Sequence, residues 1–208
     1  MAQQDNVKGV LLDFDGTLVT LGTDYHAMRK AVREILHSNG LRLGEGALLD
    51  SLALLRAQSE TSEESKCIAQ AYEELGRQEW RARWESRALQ GSRSFCASLL
   101  RSKFPWAIVS NNGRGIIDFC LRRFGFSAPS ALVAREDVSD PKPHPAAAEL
   151  ALARLGIKPS AALLVGDSSI DRTVGESLGI ETWIIPSEEK SGRKRQLQTL
   201  RSRLGIVR

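Results

Sequence analysis

The sequence lacks the features that mark secreted, membrane and zinc-binding proteins. It has only three cysteines, Cys67, Cys96 and Cys120, which are scattered and odd in number. That pattern argues against a disulfide framework or a zinc site and favours a reducing compartment. No apolar stretch approaches the ~20 residues that a membrane helix needs, and the first residues show no basic flank or apolar core of a secretory signal. We therefore expect a cytoplasmic protein that does not enter a membrane.

An excess of charge of one sign occurs only at the carboxyl end. From Ser187 onward the chain has seven Lys/Arg residues and two Glu, so the rest of the protein is close to neutral. No aromatic side chains, on which bases would stack, interleave with these cations. We interpret the segment as a solvated C-terminal helix and do not expect a nucleic-acid partner, although contact with another polyanion stays open.

The chain is well supplied with apolar residues, which make up 42% of its 208 positions and are enough for a buried core. Its length suits one domain with an insertion, or two small domains. Between residues 20 and 90 the apolar spacing is helical, and no strand pattern is visible. Three helices are predicted there: one capped by Asp24 and ended by Asn39-Gly40, one near 45–58, and one that begins after Thr61 and continues to about residue 90.

The rest of the chain alternates between strand and helix patterns. Strands are predicted at 7–14, 106–109, 131–134, 162–165 and 182–185, with helices near 94–102, 114–124, 145–155 and 171–178. Such alternation predicts a parallel sheet with helices on both faces. The fold class is therefore α/β: a doubly wound parallel-sheet core, formed by 1–19 and 92–208, with an inserted all-helical cap domain at 20–91.

Acidic residues follow two of the predicted strands, at the sheet edge where doubly wound proteins bind ligands. Asp13 and Asp15 come directly after the first strand, and Asp167, with Asp171 just beyond, follows the strand at 162–165. Clustered carboxylates repel one another at neutral pH. A hard divalent cation with oxygen ligands, in the style of Mg²⁺, would relieve that repulsion.

A hydroxyl and an ammonium group are expected at the same edge. Ser110 follows the strand at 106–109, and Lys142 lies between two prolines in the segment "DPKPHP". Both would be surplus in a simple metal site, but they make sense if an anion also binds there. A cation, a lysine and a hydroxyl around a carboxylate can hold a phosphoryl group, which the carboxylate then attacks to form an acyl phosphate.

The two acids after the first strand suit different tasks in such a reaction. Asp13, last on the rigid strand, would be the nucleophile. Asp15, past the strand end, would protonate the leaving oxygen and later take a proton from the hydrolytic water. Gly16 lets the backbone turn sharply close to the ligand, and Thr17 is expected to hydrogen-bond within that turn.

Four segments resemble, in order, the four motifs of the haloacid dehalogenase-like hydrolase superfamily. They are Asp13-Phe14-Asp15-Gly16-Thr17-Leu18, Ser110-Asn111, Lys142-Pro143, and Gly166-Asp167-Ser168 with Asp171. The layout is similar to the branch of phosphoglycolate phosphatase and β-phosphoglucomutase, in which a helical cap lies between the first and second motifs. The resemblance implies a Rossmann-like core and a Mg²⁺-dependent phosphatase. Dehalogenase members lack an acid at the position of Asp15, so its presence points to phosphate esters.

The resemblance also implies a role for each matching residue. Asp13 is the nucleophile, Asp15 the acid/base, Ser110 a donor to the phosphoryl group, and Lys142 the cation that holds nucleophile and phosphate together. The phosphate-binding set is Asp13, Gly16, Thr17, Ser110, Asn111 and Lys142. The Mg²⁺ set is Asp13 and Asp167 by their side chains, Asp15 by its backbone carbonyl, and Asp171 through the metal's water shell.

Other functions stay open at this point. A phosphomutase of the β-phosphoglucomutase type would return the phosphoryl group to a second hydroxyl, and a non-enzymatic sensor or adaptor would use the basic tail to bind a partner. A phosphonatase is disfavoured, because it needs a cap lysine and the only two, Lys30 and Lys66, lie in no matching motif. The expected substrate is a small phosphorylated metabolite, and the protein is either a monomer or a homodimer.

Overall fold

The computed structural model describes residues 7–185 and 192–206. The strands are β1 Gly9–Leu12, β2 Val19–Thr20, β3 Arg87–Ala88, β4 Trp106–Val109, β5 Ala131–Val133, β6 Ala162–Gly166 and β7 Glu181–Ile184. The helices are α1 Tyr25–Ser38, α2 Leu48–Gln58, α3 Ser62–Arg81, α4 Ser92–Arg101, α5 Arg114–Phe124, α6 Ala146–Leu155, α7 Ser169–Leu178 and α8 Gly192–Arg203. Short 3₁₀ turns lie at Ala82–Glu85, Arg135–Asp137 and Pro159–Ala161.

Five strands form one parallel sheet in the order β5-β4-β1-β6-β7. The residues of β1, β4 and β6 are all buried, because helices cover both faces of the sheet. Side chains of α4, α5 and α8 pack in the core on one face, and those of α6 and α7 pack on the other. The predicted doubly wound, Rossmann-like α/β core is confirmed.

The first strand occupies the centre of the sheet, and its neighbours lead away from it in opposite directions. β4 pairs with one edge of β1 and β6 with the other. The strand order therefore reverses beside β1, and in sheets of this kind the ligand crevice opens at such a point, beyond the carboxyl ends of the strands. β1 is shorter than the predicted 7–14, because the chain leaves the sheet at Asp13.

The helices α1, α2 and α3 have a small core of their own, which includes Met28, Val32, Leu36, Leu52, Ile68 and Leu75. The predicted start of α1 is confirmed, since the side chain of Asp24 accepts from the N–H groups of the first turn. The capping box of Thr61 and Glu64 at the start of α3 is also present. Because this block packs around separate apolar residues, we propose the division into a cap at 20–91 and a core at 1–19 and 92–208.

One expectation for the insertion is wrong. The third helix does not continue to about residue 90: α3 ends at Arg81, and β3 follows the 3₁₀ turn. β3 pairs antiparallel with β2, so a two-stranded ribbon joins the two crossings between core and insertion. The ribbon is anchored by the N–H of Leu89, which donates to the carbonyl of Leu18 at 3.0 Å. Strands of two residues are too short to show an alternating pattern.

The interpretation of the basic C-terminal segment as a solvated helix is wrong in part. Three residues of α8 are buried, Arg193, Leu197 and Leu200, and their spacing places them on one helix face. The two leucines join the core cluster that also contains side chains of α4. Residues 187–191 and 207–208 of this segment lie outside the described residues. In the part of the chain that the structure describes, no helix has the length and apolarity needed to span a bilayer.

Candidate active site

A buried lysine lies between two carboxylates at the centre of the candidate site. Lys142 donates from Nζ to Asp13 Oδ1 at 2.6 Å and to Asp171 Oδ1 at 2.7 Å. Asp13 directly follows β1, and its N–H donates to the carbonyl of Val165 on β6 at 2.9 Å. Asp171 lies in the first turn of α7. Side chains from three of the four motifs therefore meet at the carboxyl edge of the sheet.

Burial and mutual charge shift the pKa of all three groups. Burial raises the pKa of Asp13 to about 7; the neighbouring charge of Asp171 adds to this, and Lys142 opposes it. For Lys142 burial acts to lower the pKa, but the two carboxylates outweigh it and the pKa is raised. For Asp171 burial acts to raise the pKa, but Lys142 and the hydrogen bonds of Ser168 outweigh it and the pKa is lowered. The lysine therefore carries a full charge at neutral pH.

Asp167 adds a third carboxylate to the cluster. Oxygen atoms of Asp13, Asp167 and Asp171 all lie within 4.8 Å of one another. Burial, together with the charges of Asp171 and Asp15, raises the pKa of Asp167 to about 6. A single lysine does not balance these acids, and their oxygens are the ligands that Mg²⁺ prefers. The donor set therefore fits a hard divalent cation.

Gly16 is required where the backbone passes this cluster. Its φ is +79°, and a Cβ built there would lie 2.1 Å from Oδ2 of Asp167. Any other residue would strain the backbone and collide with this carboxylate. The predicted sharp turn of the backbone at Gly16 is confirmed.

Thr17 does not make the hydrogen bond predicted for its side chain. Its hydroxyl is buried and has no hydrogen-bond partner. The turn is closed instead by main-chain bonds, in which Gly16 N–H donates to Val19 at 2.7 Å and Thr17 N–H to Phe14 at 3.3 Å. Arg193 of α8, which is buried, donates to the carbonyl oxygens of Gly16, at 3.4 Å, and Thr17. The basic C-terminal segment therefore stabilises this turn, which the sequence analysis did not predict.

Asp15 lies beside the acidic cluster of Asp13, Asp167 and Asp171, and its side chain contacts residues of the insertion. Its Oδ1 accepts from the N–H of Leu21 at 2.9 Å, and its Oδ2 accepts from the hydroxyl of Tyr25. Burial raises the pKa of Asp15, and the hydrogen bond from Tyr25 counteracts part of that rise. Tyr25 is the first residue of α1 and lies in none of the four motifs, so its contact with the predicted acid/base could not be read from the sequence.

The segment that follows β4 fixes the loop that contains Lys142. Asn111 makes two hydrogen bonds with the backbone of Lys142: Oδ1 accepts from its N–H at 2.8 Å, and Nδ2 donates to its carbonyl at 2.9 Å. The hydroxyl of buried Ser110 donates to Asn112 Oδ1 at 2.9 Å and accepts from Asn112 N–H at 3.1 Å. Asn111 thus fixes the position of the loop that presents Lys142, whose peptide bond to Pro143 is cis.

A buried ion pair, absent from the sequence predictions, joins the insertion to this segment. Arg135 donates to the two oxygens of Glu79 on α3, at 2.8 and 3.0 Å, and to the carbonyl of Asn111 at 3.1 Å. Glu79 also accepts from Gly113 N–H at 3.1 Å and from Asn112 Nδ2 at 3.3 Å. The two charged residues are 56 positions apart, and no local pattern in the sequence relates them.

A cavity of about 310 Å³ lies over these groups, between core and insertion. From the core it is lined by the predicted site residues Asp13, Asp15, Asn111, Lys142, Asp167 and Asp171. From the insertion it is lined by Tyr25, Met28, Leu48, Leu49, Asp50, Leu75 and Glu79. The predicted reactive groups therefore line the cavity from the core, and most of the residues that line it from the insertion are apolar.

The fold and this arrangement of acids around a lysine define a class of enzyme. Residues 7–179 match the haloacid dehalogenase-like hydrolase family, and the chain belongs to that family. The predicted membership of this superfamily is thereby confirmed.

Curated relatives narrow the class further. The chain is 28% identical over 184 residues to the N-acetylmuramic acid 6-phosphate phosphatase of Pseudomonas aeruginosa, an alignment that covers 85% of this chain and 80% of that protein. It is 35% identical over 85 residues to the pyrophosphatase PpaX of Bacillus velezensis, covering 40% of this chain and 39% of that protein. The family and these relatives identify the chain as an enzyme, a phosphatase.

A solved structure shows the same fold. A hydrolase from Pseudomonas syringae superposes with a TM-score of 0.63 at 20% identity, covering 91% of this chain and 90% of that one. At this level of identity the likeness concerns the fold alone.

Proposed function

We propose that the chain is a Mg²⁺-dependent phosphatase that hydrolyses a small phosphorylated metabolite through an aspartyl-phosphate intermediate, in the manner of the phosphoglycolate phosphatase-like branch. The observation that carries the proposal is the contact of Lys142 Nζ with Asp13 Oδ1 at 2.6 Å, beside Asp167 and Asp171. A carboxylate in this position has a cation at hand for the phosphoryl group that it would receive. An ordinary surface ion pair would not be buried among two further acids.

In the first step, Asp13 attacks the phosphorus atom and the bond to the leaving oxygen breaks. Lys142 orients Asp13 and favours its ionised form, in which it is a nucleophile. Asp15 donates its proton to the leaving oxygen, so that a neutral alcohol departs. We propose that the hydroxyl of Ser110 turns from Asn112 to donate to a phosphoryl oxygen, beside the backbone of Gly16 and Thr17.

In the second step, Asp15 takes a proton from a water molecule, which attacks the phosphorus atom of the acyl phosphate. The bond between phosphorus and Asp13 breaks, inorganic phosphate leaves, and Asp15 is protonated again. Because Asp15 is buried and its pKa is raised, it holds a proton at higher pH than an exposed aspartate. That property suits a group that acts as an acid in one step and a base in the next.

Mg²⁺ would be held by the side chains of Asp13 and Asp167 and by the backbone carbonyl of Asp15, with Asp171 supporting the water shell of the ion. When bound, the ion would offset the negative charge of the acids and of the phosphoryl oxygens. The apolar wall of the insertion would exclude bulk water while the phosphoryl group is transferred.

The three cysteines are free and buried, which suits the reducing cytoplasm in which we place the enzyme. We propose that the enzyme is a monomer or a homodimer.

Replacing Asp13 tests the proposal. Asp13→Asn keeps the shape of the side chain but removes the nucleophile, so we expect release of inorganic phosphate from p-nitrophenyl phosphate to fall by at least about 10³-fold. The melting temperature should be unchanged or higher, because one of the mutually repelling acids is removed. Asp24→Asn, which changes an exposed aspartate that caps α1, is the matched control and should retain turnover. Substantial phosphate release by the Asp13 variant would refute the nucleophile assignment.

A further inference from the structure

We propose that the cavity selects phosphate monoesters whose organic part carries no second negative charge. The inference rests on the proposed phosphatase function and narrows it to a substrate class, namely monoesters of neutral or cationic alcohols. It is carried by the charges and the apolar side chains of the cavity.

Both cations that line the cavity are already engaged by the protein. Lys142 is bonded to Asp13 and Asp171 and faces the position of the phosphoryl group. Arg135 has one carboxylate, Glu79, bonded to both of its terminal nitrogens. Among the described residues no other lysine or arginine lines the cavity. Among the described residues, the lining therefore offers no available cation to a second phosphate or a carboxylate on the substrate.

The lining also carries more acids than cations. Six carboxylates line the cavity: Asp13, Asp15, Asp50, Glu79, Asp167 and Asp171. Lys142 and a divalent ion offset those that face the phosphoryl group, and Arg135 offsets Glu79. Asp50, an exposed residue in the first turn of α2, lines the cavity from the insertion, where we place the organic part of the substrate, and no ion pair of the described residues offsets its charge. A substrate anion placed there would be repelled rather than held.

Six of the ten remaining lining residues are apolar: Met28, Ala47, Leu48, Leu49, Leu75 and Ile170. The other four, Tyr25, Asn111, Asn112 and Ser168, already donate hydrogen bonds to other groups of the protein. Contact with these side chains removes apolar surface from water at no cost to an uncharged carbon skeleton. A carboxylate in the same place would lose water without gaining a donor, which is unfavourable. The wall that faces the leaving group therefore favours a neutral skeleton, and Asp50 accommodates a hydroxyl or an ammonium group.

The charge of the leaving group can be varied in three substrates of nearly equal size. They are 2-hydroxyethyl phosphate, which is neutral beyond the phosphate, 2-aminoethyl phosphate, which is cationic, and phosphoglycolate, which is anionic. We expect kcat/KM with Mg²⁺ to be at least about tenfold lower for phosphoglycolate than for either of the others. The likeness to the phosphoglycolate phosphatase branch thus concerns the layout of the chain and not its substrate. We also expect N-acetylmuramic acid 6-phosphate, for which the Pseudomonas aeruginosa relative is named, to be a poor substrate, because it is an acid beyond its phosphate.

A charge reversal in the cavity separates selection by the protein from the intrinsic reactivity of the esters. Asp50→Lys should raise the ratio of kcat/KM for phosphoglycolate to that for 2-hydroxyethyl phosphate by at least about fivefold. Glu45→Lys makes the same change of charge at an exposed position outside the cavity lining, and should leave the ratio within about twofold.

The outcomes distinguish this inference from the function on which it rests. If the wild-type enzyme prefers phosphoglycolate, or if Asp50→Lys leaves the ratio unchanged, the charge selection is overturned while the phosphatase function stands. If the enzyme with Mg²⁺ hydrolyses none of the three esters and no p-nitrophenyl phosphate either, the proposed function itself fails.

Discussion

Asp13 and Asp15, which one residue separates in the sequence, lie in different surroundings. Two different catalytic roles require such a difference. Asp13 is bonded to the charged Lys142, which favours its ionised form. Asp15 is bonded to neutral donors, among them the N–H of Leu21 and the hydroxyl of Tyr25. Burial raises the pKa of both carboxyls. The positive neighbour keeps a nucleophile available at Asp13, whereas Asp15 can keep a proton to donate.

Tyr25 is the one described side chain that donates a hydrogen bond to Asp15, and removing its hydroxyl should change the pH profile. In Tyr25→Phe the ionised form of Asp15 loses a donor, so its pKa rises further. Because Asp15 must be protonated to act as the acid, we expect the alkaline limb of the plot of kcat/KM against pH to move upward by about one unit. One unit corresponds to about 1.4 kcal/mol, close to the lower end of the roughly 1.5–3 kcal/mol that a hydrogen bond to a charged group contributes.

The matched control is the cap's other tyrosine. The hydroxyl of Tyr72 on α3 has no hydrogen-bond partner, so Tyr72→Phe removes the same atom without affecting Asp15. Its pH profile should match that of the wild-type enzyme. An alkaline limb that stays in place in Tyr25→Phe would mean that Tyr25 does not set the protonation of the acid/base.

At the scale of elements, the C-terminal helix supports the turn that follows the nucleophile. Arg193 of α8 reaches the carbonyl oxygens of Gly16 and Thr17, and its burial leaves little water to replace these bonds. We expect Arg193→Gln to lower the free energy of unfolding by about 1–3 kcal/mol, the usual cost of leaving buried polar groups without partners. Turnover should fall as well, because Gly16 lies against Asp167.

Chemical denaturation together with steady-state kinetics measures both effects. Arg195→Gln removes the same charge from an exposed position on the same helix, and should change neither stability nor turnover appreciably. If the Arg193 and Arg195 variants behave alike, the C-terminal helix contributes only its leucines to the fold.

Elements with a repeating apolar pattern could be predicted from the sequence. β4 and α5 have the predicted bounds, because a buried parallel strand is continuously apolar and an amphipathic helix has a regular apolar stripe. The β2–β3 ribbon could not, because a two-residue strand has no period. The spacing of Leu197 and Leu200 indicates a buried face of α8. The many basic residues around them favour a solvated helix instead, and for that reason the burial was not predicted.

The candidate site likewise has a part that could be predicted from the sequence and a part that could not. The motif residues Asp13, Lys142 and Asp171 meet as predicted, because the ends of parallel strands and the loops after them share one edge of the sheet. The contacts of the insertion with this edge could not be predicted. Those of Tyr25 and Glu79 depend on how the insertion packs on the core, and the sequence gives no pairing between the two.

For the whole molecule, the acid cluster links metal binding to stability. The pKa of Asp13 is raised to about 7 and that of Asp167 to about 6, from a usual value of 3.8. Between about pH 4 and pH 7 the folded protein therefore binds more protons at these groups than the unfolded chain does. Stability from these groups is consequently lost as the pH rises through this interval. A divalent ion that binds the ionised carboxylates would restore it.

We therefore expect Mg²⁺ to stabilise the protein more at pH 7.5 than at pH 5, where protons compete for the same oxygens. At a concentration one hundred times its Kd the ion should contribute about 2.7 kcal/mol, or roughly 5–10 °C in Tm for a chain of this length. Asp167→Asn should lose most of this shift, whereas Glu176→Gln, an exposed acid on the same helix as Asp171, should keep it. Exhaustive chelation should abolish turnover. Equal shifts at the two pH values, or phosphate release that survives chelation, would show that the cluster does not work as a metal site.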